Sequence, residues 1–150
     1  MSKEKKYIRI KKQIEGLVKD IDNPLSVMAT INALLYHKMP GFFWTGFYLL
    51  KNGELLVGPY QGTLACIRLK KDTGVCWAGI NRRETVVVPD VDKFEGHIAC
   101  SSLSKSEIVV PVFDKEDNVI GVLDVDSKQP GNFDETDRKY LEEIVQLIFH

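Results

Sequence analysis

The sequence predicts an α+β domain: a largely antiparallel central sheet with N- and C-terminal helices packed on one face. Three observations lead there. Apolar residues recur at helical spacing chiefly at the two ends of the chain. Between them, strand-like runs follow one another, several joined by short turns. The regular strand–helix–strand alternation that builds a parallel sheet is missing. At 150 residues the chain fits one domain of the usual ~100–200 residues, and no repeat, linker or low-complexity tract divides it, so residues 1–150 are expected to form a single domain.

The elements read in order. Tyr7, Ile10, Ile14, Leu17 and Ile21 mark a first helix, and Leu25, Met28, Asn32, Leu35 and Met39 a second. Asp22-Asn23-Pro24 separates them, with Asn23 as cap and Pro24 at the first helical position. Pro40-Gly41 ends the second helix. Phe43 to Leu50 is a strand, turned at Asn52-Gly53 into Leu55-Leu56-Val57. Leu64 to Leu69 reads as a third strand, Val75 to Arg83 as a short helix, and Thr85 to Val88 as a fourth strand. Val91 to Ser104 is irregular, with room for one helical turn. Glu107 to Phe113 and Val119 to Val125 pair across Lys115–Asn118, and a last helix begins near Asp134 with Asp137 completing a capping box. That helix buries Leu141, Ile144, Val145 and Ile148.

Composition excludes several function classes. The net charge of −1 gives no basic footprint for nucleic acid, and the Lys3, Lys5, Lys6, Lys11, Lys12 group reads as the solvated side of the first helix. The N-terminus carries no apolar signal region, and no apolar run reaches the ~20 residues needed to span a bilayer. A cytoplasmic location is therefore expected, where disulfides are transient and catalytic rather than structural. Three cysteines suit one nucleophile with partners better than a set of staples.

Alternation places Trp44, Gly46 and Tyr48 on one face of their strand and Phe43, Phe47 and Leu49 on the other. Trp44 and Tyr48 either pack in the core or wall a pocket. On the Val119–Val125 strand, Val119, Gly121, Leu123 and Val125 share one face, and Ile120, Val122, Asp124 and Asp126 the other. Two carboxylates about 7 Å apart on an apolar strand either sit solvated at its end or, buried together, raise each other's pKa and give a proton donor. Glu107 on the neighbouring strand adds a third acid. Such a group suits a substrate ammonium; an oxygen-bound Mg²⁺ or Ca²⁺ is the rival tenant.

Cys66 falls in a strand run and reads as a small hydrophobe. Cys76, near a helix start where the dipole lowers a thiol pKa, is the first choice of nucleophile on these grounds. Cys100 lies in a polar loop three residues after His97, itself read as a surface histidine. No Cys-x-x-Cys or Cys/His spacing suggests zinc, and no metal is expected. Residue chemistry alone does not rank the three thiols.

Several segments together resemble one known family. They are Trp44–Leu50, Gly58-Pro59-Tyr60-Gln61-Gly62 leading to Ala65-Cys66-Ile67-Arg68, and Gly74-Val75-Cys76. Val86–Val91, Gly96-His97-Ile98-Ala99-Cys100, Ser106–Pro111 and Gly121–Ser127 complete the set. The chain is similar to the free methionine-(R)-sulfoxide reductases, single GAF-domain enzymes. The resemblance implies a GAF-like fold and reduction of free methionine-(R)-sulfoxide. Cys100 would attack the sulfoxide and become a sulfenic acid; Cys66 would resolve it as an intramolecular disulfide, recycled by thioredoxin, with Cys76 auxiliary. It further implies Trp44 and Tyr48 around the substrate methyl group, and Glu107, Asp124 and Asp126 as ammonium holders and proton source. Backbone amides around Ile98, Ala99 and Cys100 would bind the carboxylate. The family also implies a homodimer and no bound cofactor. Trp77 and Leu64 depart from its usual residues beside Cys76 and Cys66. The alternative is a non-enzymatic GAF module sensing a small molecule or redox state.

Overall fold

The computed structural model describes residues 1–97 and 102–150. Helix α1, Lys3–Val18, is capped by the Ser2 side chain accepting from the Lys5 amide. Its buried stripe is Tyr7, Ile10, Ile14 and Val18. Leu17 and Ile21, expected on that stripe, are exposed, because the helix stops at Val18 and the 3.6-residue repeat carries position 18 rather than 17 inward. Helix α2, Pro24–Lys38, starts as predicted, with Asn23 accepting from the Ser26 amide and Pro24 in the first turn. It buries Val27, Met28, Ile31, Asn32 and Leu35; Leu25 instead faces solvent.

Strands β1 (Trp44–Lys51) and β2 (Glu54–Gln61) pair through the Asn52-Gly53 turn, both turn residues at positive φ as a tight hairpin requires. The third strand shrinks to β3, Arg68–Leu69. Leu64 and Ile67 are exposed and Cys66 lies in a loop, not a strand; apolar residues in a row without alternation do not by themselves make a pleated strand. Helix α3 is Gly74–Arg82 and β4 is Val86–Val88. A single 3₁₀ turn spans Val91–Lys93. Strands β5 (Ser106–Phe113) and β6 (Val119–Ser127) follow, then α4 (Glu135–Val145) with the predicted Asp134–Asp137 capping box, and a final 3₁₀ turn.

Among the described residues the strands form one six-stranded antiparallel sheet in the order β3-β2-β1-β6-β5-β4. One face buries Phe47, Ile108, Val110, Val112, Leu123 and Val125 against α1, α2 and α4. This is the expected layer of terminal helices, and it forms because α4 and α1 each carry one apolar stripe that needs a cover. The other face packs Val109 and Val122 against α3 and leaves the polar end of the sheet for a pocket.

Two face assignments differ from simple alternation. Phe43 precedes β1 and joins the pocket side rather than the helix side. A register shift beyond Val112 pairs Phe113 with Val119, so Ile120 turns to the helix core and Val119 to the opposite one. No helix among the described residues is long and apolar enough to cross a membrane.

Candidate active site

Strand register assembles the site. Trp44 stands opposite Asp126 and Gly46 opposite Asp124 across β1 and β6, while Glu107 stands opposite Asp126 across β5 and β6. Because side chains alternate, Trp44, Tyr48, Glu107, Asp124 and Asp126 all emerge on the face that α3 covers, and Cys76 meets them from the first turn of α3. They line one small cavity of ≈ 60 Å³, room for on the order of four water molecules.

Gly46 makes the aromatic wall possible. A Cβ there would lie 2.5 Å from the Tyr60 Cβ and 2.8 Å from the Trp44 Cζ3, so the bare glycine lets the indole lie over the sheet. Trp44 is stacked between Tyr48 (ring centroids 6.0 Å apart) and Tyr60 (5.3 Å). Its Nε1–H donates to the Thr63 carbonyl at 2.9 Å, and the Tyr48 hydroxyl donates to the Cys66 carbonyl at 3.0 Å. The wall thereby pins the loop carrying Cys66 at the mouth of the pocket. Gly62, at φ +131° and hard against Trp44, opens that loop.

The acids are the electrostatic centre. Glu107 and Asp124 are buried and Asp126 is half-buried. Desolvation pushes all three carboxyls above their ordinary values, and the negative charge of Asp124 adds to the rise at Glu107 and Asp126. Hydrogen bonds from Glu107, Cys76 and Asp126 hold Asp124 back, which makes it the member that keeps its charge most readily. Ser104 Oγ donates to Asp126 at 3.1 Å. Of the two readings the sequence left open, the structure has the acids clustered with raised pKa values rather than solvated apart at the strand end.

The thiols separate sharply. Cys66 is disulfide-bonded. Cys76 is a free, buried thiol, and burial together with Asp124, Glu107 and Asp126 drives its pKa well up. The helix-dipole argument for Cys76 as nucleophile therefore fails: three nearby acids and desolvation outweigh half a unit charge at a helix end. Cys100, Ile98 and Ala99 lie outside the described residues. His97 is not a surface histidine but borders the cavity, where burial lowers its pKa.

Sequence reasoning missed Tyr60 and Ser104 as site residues. Tyr60 was discoverable, since hairpin pairing puts it opposite Gly46; no local signal marks Ser104.

A GAF domain family model matches residues 29–148. The free methionine-R-sulfoxide reductase of Escherichia coli is 38% identical over 148 residues, covering 99% of this chain and 89% of that protein. The chain belongs to the GAF-domain family of free methionine-R-sulfoxide reductases. GAF domain-containing protein A of Dictyostelium discoideum is 49% identical, covering 98% of this chain and 92% of that protein. The solved structure of the Neisseria meningitidis free methionine-R-sulfoxide reductase with its substrate superposes at a TM-score of 0.93, with 44% identity over 99% of this chain and 89% of that one. This GAF domain thus shares its overall fold with a reductase solved together with its substrate.

Proposed function

We propose that the protein reduces free L-methionine-(R)-sulfoxide to methionine in the cytoplasm. One observation carries the reading: a small pocket combines an aromatic wall, two buried acids with a third half-buried beside them, and an edge formed by the loop that carries the disulfide-bonded Cys66. Asp124, the acid that ionises most readily, receives the substrate ammonium with Asp126. Trp44 and Tyr48 hold the S-methyl group, which fixes the sulfur epimer, and backbone amides around Ile98 and Ala99 take the carboxylate.

The Cys100 thiolate attacks the sulfoxide sulfur. Glu107, whose burial and acidic neighbours favour its protonated form, delivers a proton to the sulfoxide oxygen, because an unprotonated oxygen does not leave. Oxygen passes to Cys100 as a sulfenic acid, and methionine departs with the electron pair. The Cys66 thiol then attacks that sulfenic sulfur, releasing water and forming the Cys66–Cys100 disulfide. Thioredoxin restores both thiols by dithiol exchange. Cys76, high in pKa and buried, serves at most as an auxiliary thiol.

Replacing Cys100 with Ser is expected to abolish thioredoxin-dependent NADPH consumption on free methionine-(R)-sulfoxide. Residual turnover above a few per cent would reject the role. Exposed Ile8, Leu17 and Leu25 on the two N-terminal helices, with exposed Ile21 in the connection between them, support a homodimer through the terminal helices; a monomer mass by light scattering would rule it out.

A further inference from the structure

We propose that Cys76, Glu107 and Asp124 form a binding site for a thiophilic divalent cation of the Zn²⁺ class on the pocket floor. The Cys76 Sγ and one carboxylate oxygen each from Glu107 and Asp124 lie within 4.8 Å of one another, all three residues buried. They arrive from α3, β5 and β6, so no spacing in the sequence announces them; the expectation of no metal rested on local motifs alone.

Donor chemistry selects the ion. One sulfur and two carboxylate oxygens suit Zn²⁺, which takes both; Mg²⁺ and Ca²⁺ take oxygen only, and Cu⁺ prefers all-soft sets. Around tetrahedral zinc, with bonds of about 2.0–2.3 Å, donors sit roughly 3.5 Å apart. The set has to contract by about 1 Å, within reach of the flexible Glu107 side chain.

A second, independent observation points to a ligand. Asp124 is 6% exposed, and its buried Oδ1 finds no donor among the described residues beyond the acids and thiol of the cluster itself. A buried carboxylate oxygen that only other acids and a thiol can meet is costly. Among the described residues no Lys or Arg lines the cavity to meet it. A bound cation would neutralise the floor, and its fourth position would open toward Trp44 and Tyr48, as three-ligand zinc sites do. Binding displaces the Cys76 thiol proton and any carboxyl protons, conserving charge. The ion would occupy the ground assigned above to the substrate ammonium, so metal and amino acid exclude each other. The metal site itself does not depend on the reductase reading.

The test uses the whole chain isolated without added reductant and titrated with Co²⁺ and then Zn²⁺. Expected are one equivalent of bound Co²⁺ with a near-ultraviolet sulfur-to-cobalt absorption band, and its stoichiometric displacement by Zn²⁺. Cys76→Ser is expected to lose the band and weaken Zn²⁺ binding at least tenfold. Asp124→Asn is expected to weaken binding by a similar factor while keeping a sulfur band at high Co²⁺, each variant being checked for folding by circular dichroism. Absence of the band in the unmodified protein, or unchanged Zn²⁺ affinity in a folded Cys76→Ser variant, would overturn the proposal. Free methionine-(R)-sulfoxide turnover, measured separately, reports on the reductase reading alone.

Discussion

At the residue scale, Glu107, Asp124 and Asp126 trade stability for chemistry. Each titrates higher in the folded chain than unfolded, with desolvation the leading cause. Between those two values the native state holds protons that the unfolded chain has released. Their contribution to stability is therefore fully present below the ordinary carboxylate range and is lost as pH rises through the raised values. Glu107→Gln removes one such group without changing its shape. It is expected to raise the melting temperature at pH 8 by about 2–4 °C, the scale of roughly 1 kcal/mol in a chain this long, and to flatten the loss of stability between pH 5 and pH 8. Thermal melts across that range check it; a parallel loss in both proteins would contradict the buried-acid account. The same variant is expected to cost about 10²–10⁴-fold in turnover, the usual worth of a general acid.

At the element scale, the behaviour of β1 depends on a position with no side chain. Gly46→Ala places a methyl group 2.8 Å from the Trp44 Cζ3 and 2.5 Å from the Tyr60 Cβ. Overpacking of this kind costs about 1–3 kcal/mol, and here the indole is the piece that must move. Urea titration is expected to show that loss, with substrate KM raised and a shifted tryptophan emission spectrum; an unchanged KM would mean that the stacked wall does not seat the substrate. Tyr48→Phe leaves the stack but removes the hydroxyl that holds the Cys66 carbonyl. It is expected to cost only ~0.5–1.5 kcal/mol in stability while accelerating reduction of the Cys66 disulfide by dithiothreitol, followed as thiol release. A rate equal to that of the unaltered protein would show that the loop is held by other contacts.

At the scale of the whole molecule, the two ends of the chain are locked together. Asp137, fully buried on α4, accepts hydrogen bonds from the Tyr7 hydroxyl and the Lys3 ammonium of α1, the latter at 2.7 Å. Tyr7 and Tyr140 stack at 5.4 Å beside it. Asp137→Ala strips the capping box and leaves a phenol and an ammonium without their shared acceptor, a change worth about 3–5 kcal/mol. Chemical denaturation is expected to show that loss, with the pocket residues undisturbed in the remaining folded protein. A loss below 1 kcal/mol would mean that the α1–α4 contact rests on apolar packing alone.

Local physics in the sequence was enough for the order of most elements and for the α+β class. Asn23-Pro24, Asn52-Gly53 and the Asp134–Asp137 box each name their own structure, because caps and tight turns are decided within four residues. Alternation also put Asp124 and Asp126 on one face, since that periodicity is a property of any strand. The resemblance to a known family, carried by segments spread along the chain, supplied roles that periodicity does not contain. Only the tertiary structure decided the environment of each group. Leu64 to Ile67 form a loop, with Leu64 and Ile67 exposed and Ala65 and Cys66 half-buried, because the ladder with β2 reaches only Arg68 and Leu69 and a single bond from the Val57 amide to the Ile67 carbonyl. Cys76 changed from an activated thiol to a suppressed one because α3 lays it against acids on β5 and β6. Burial and through-space charge depend on residues far apart in the chain, and no window of sequence contains them.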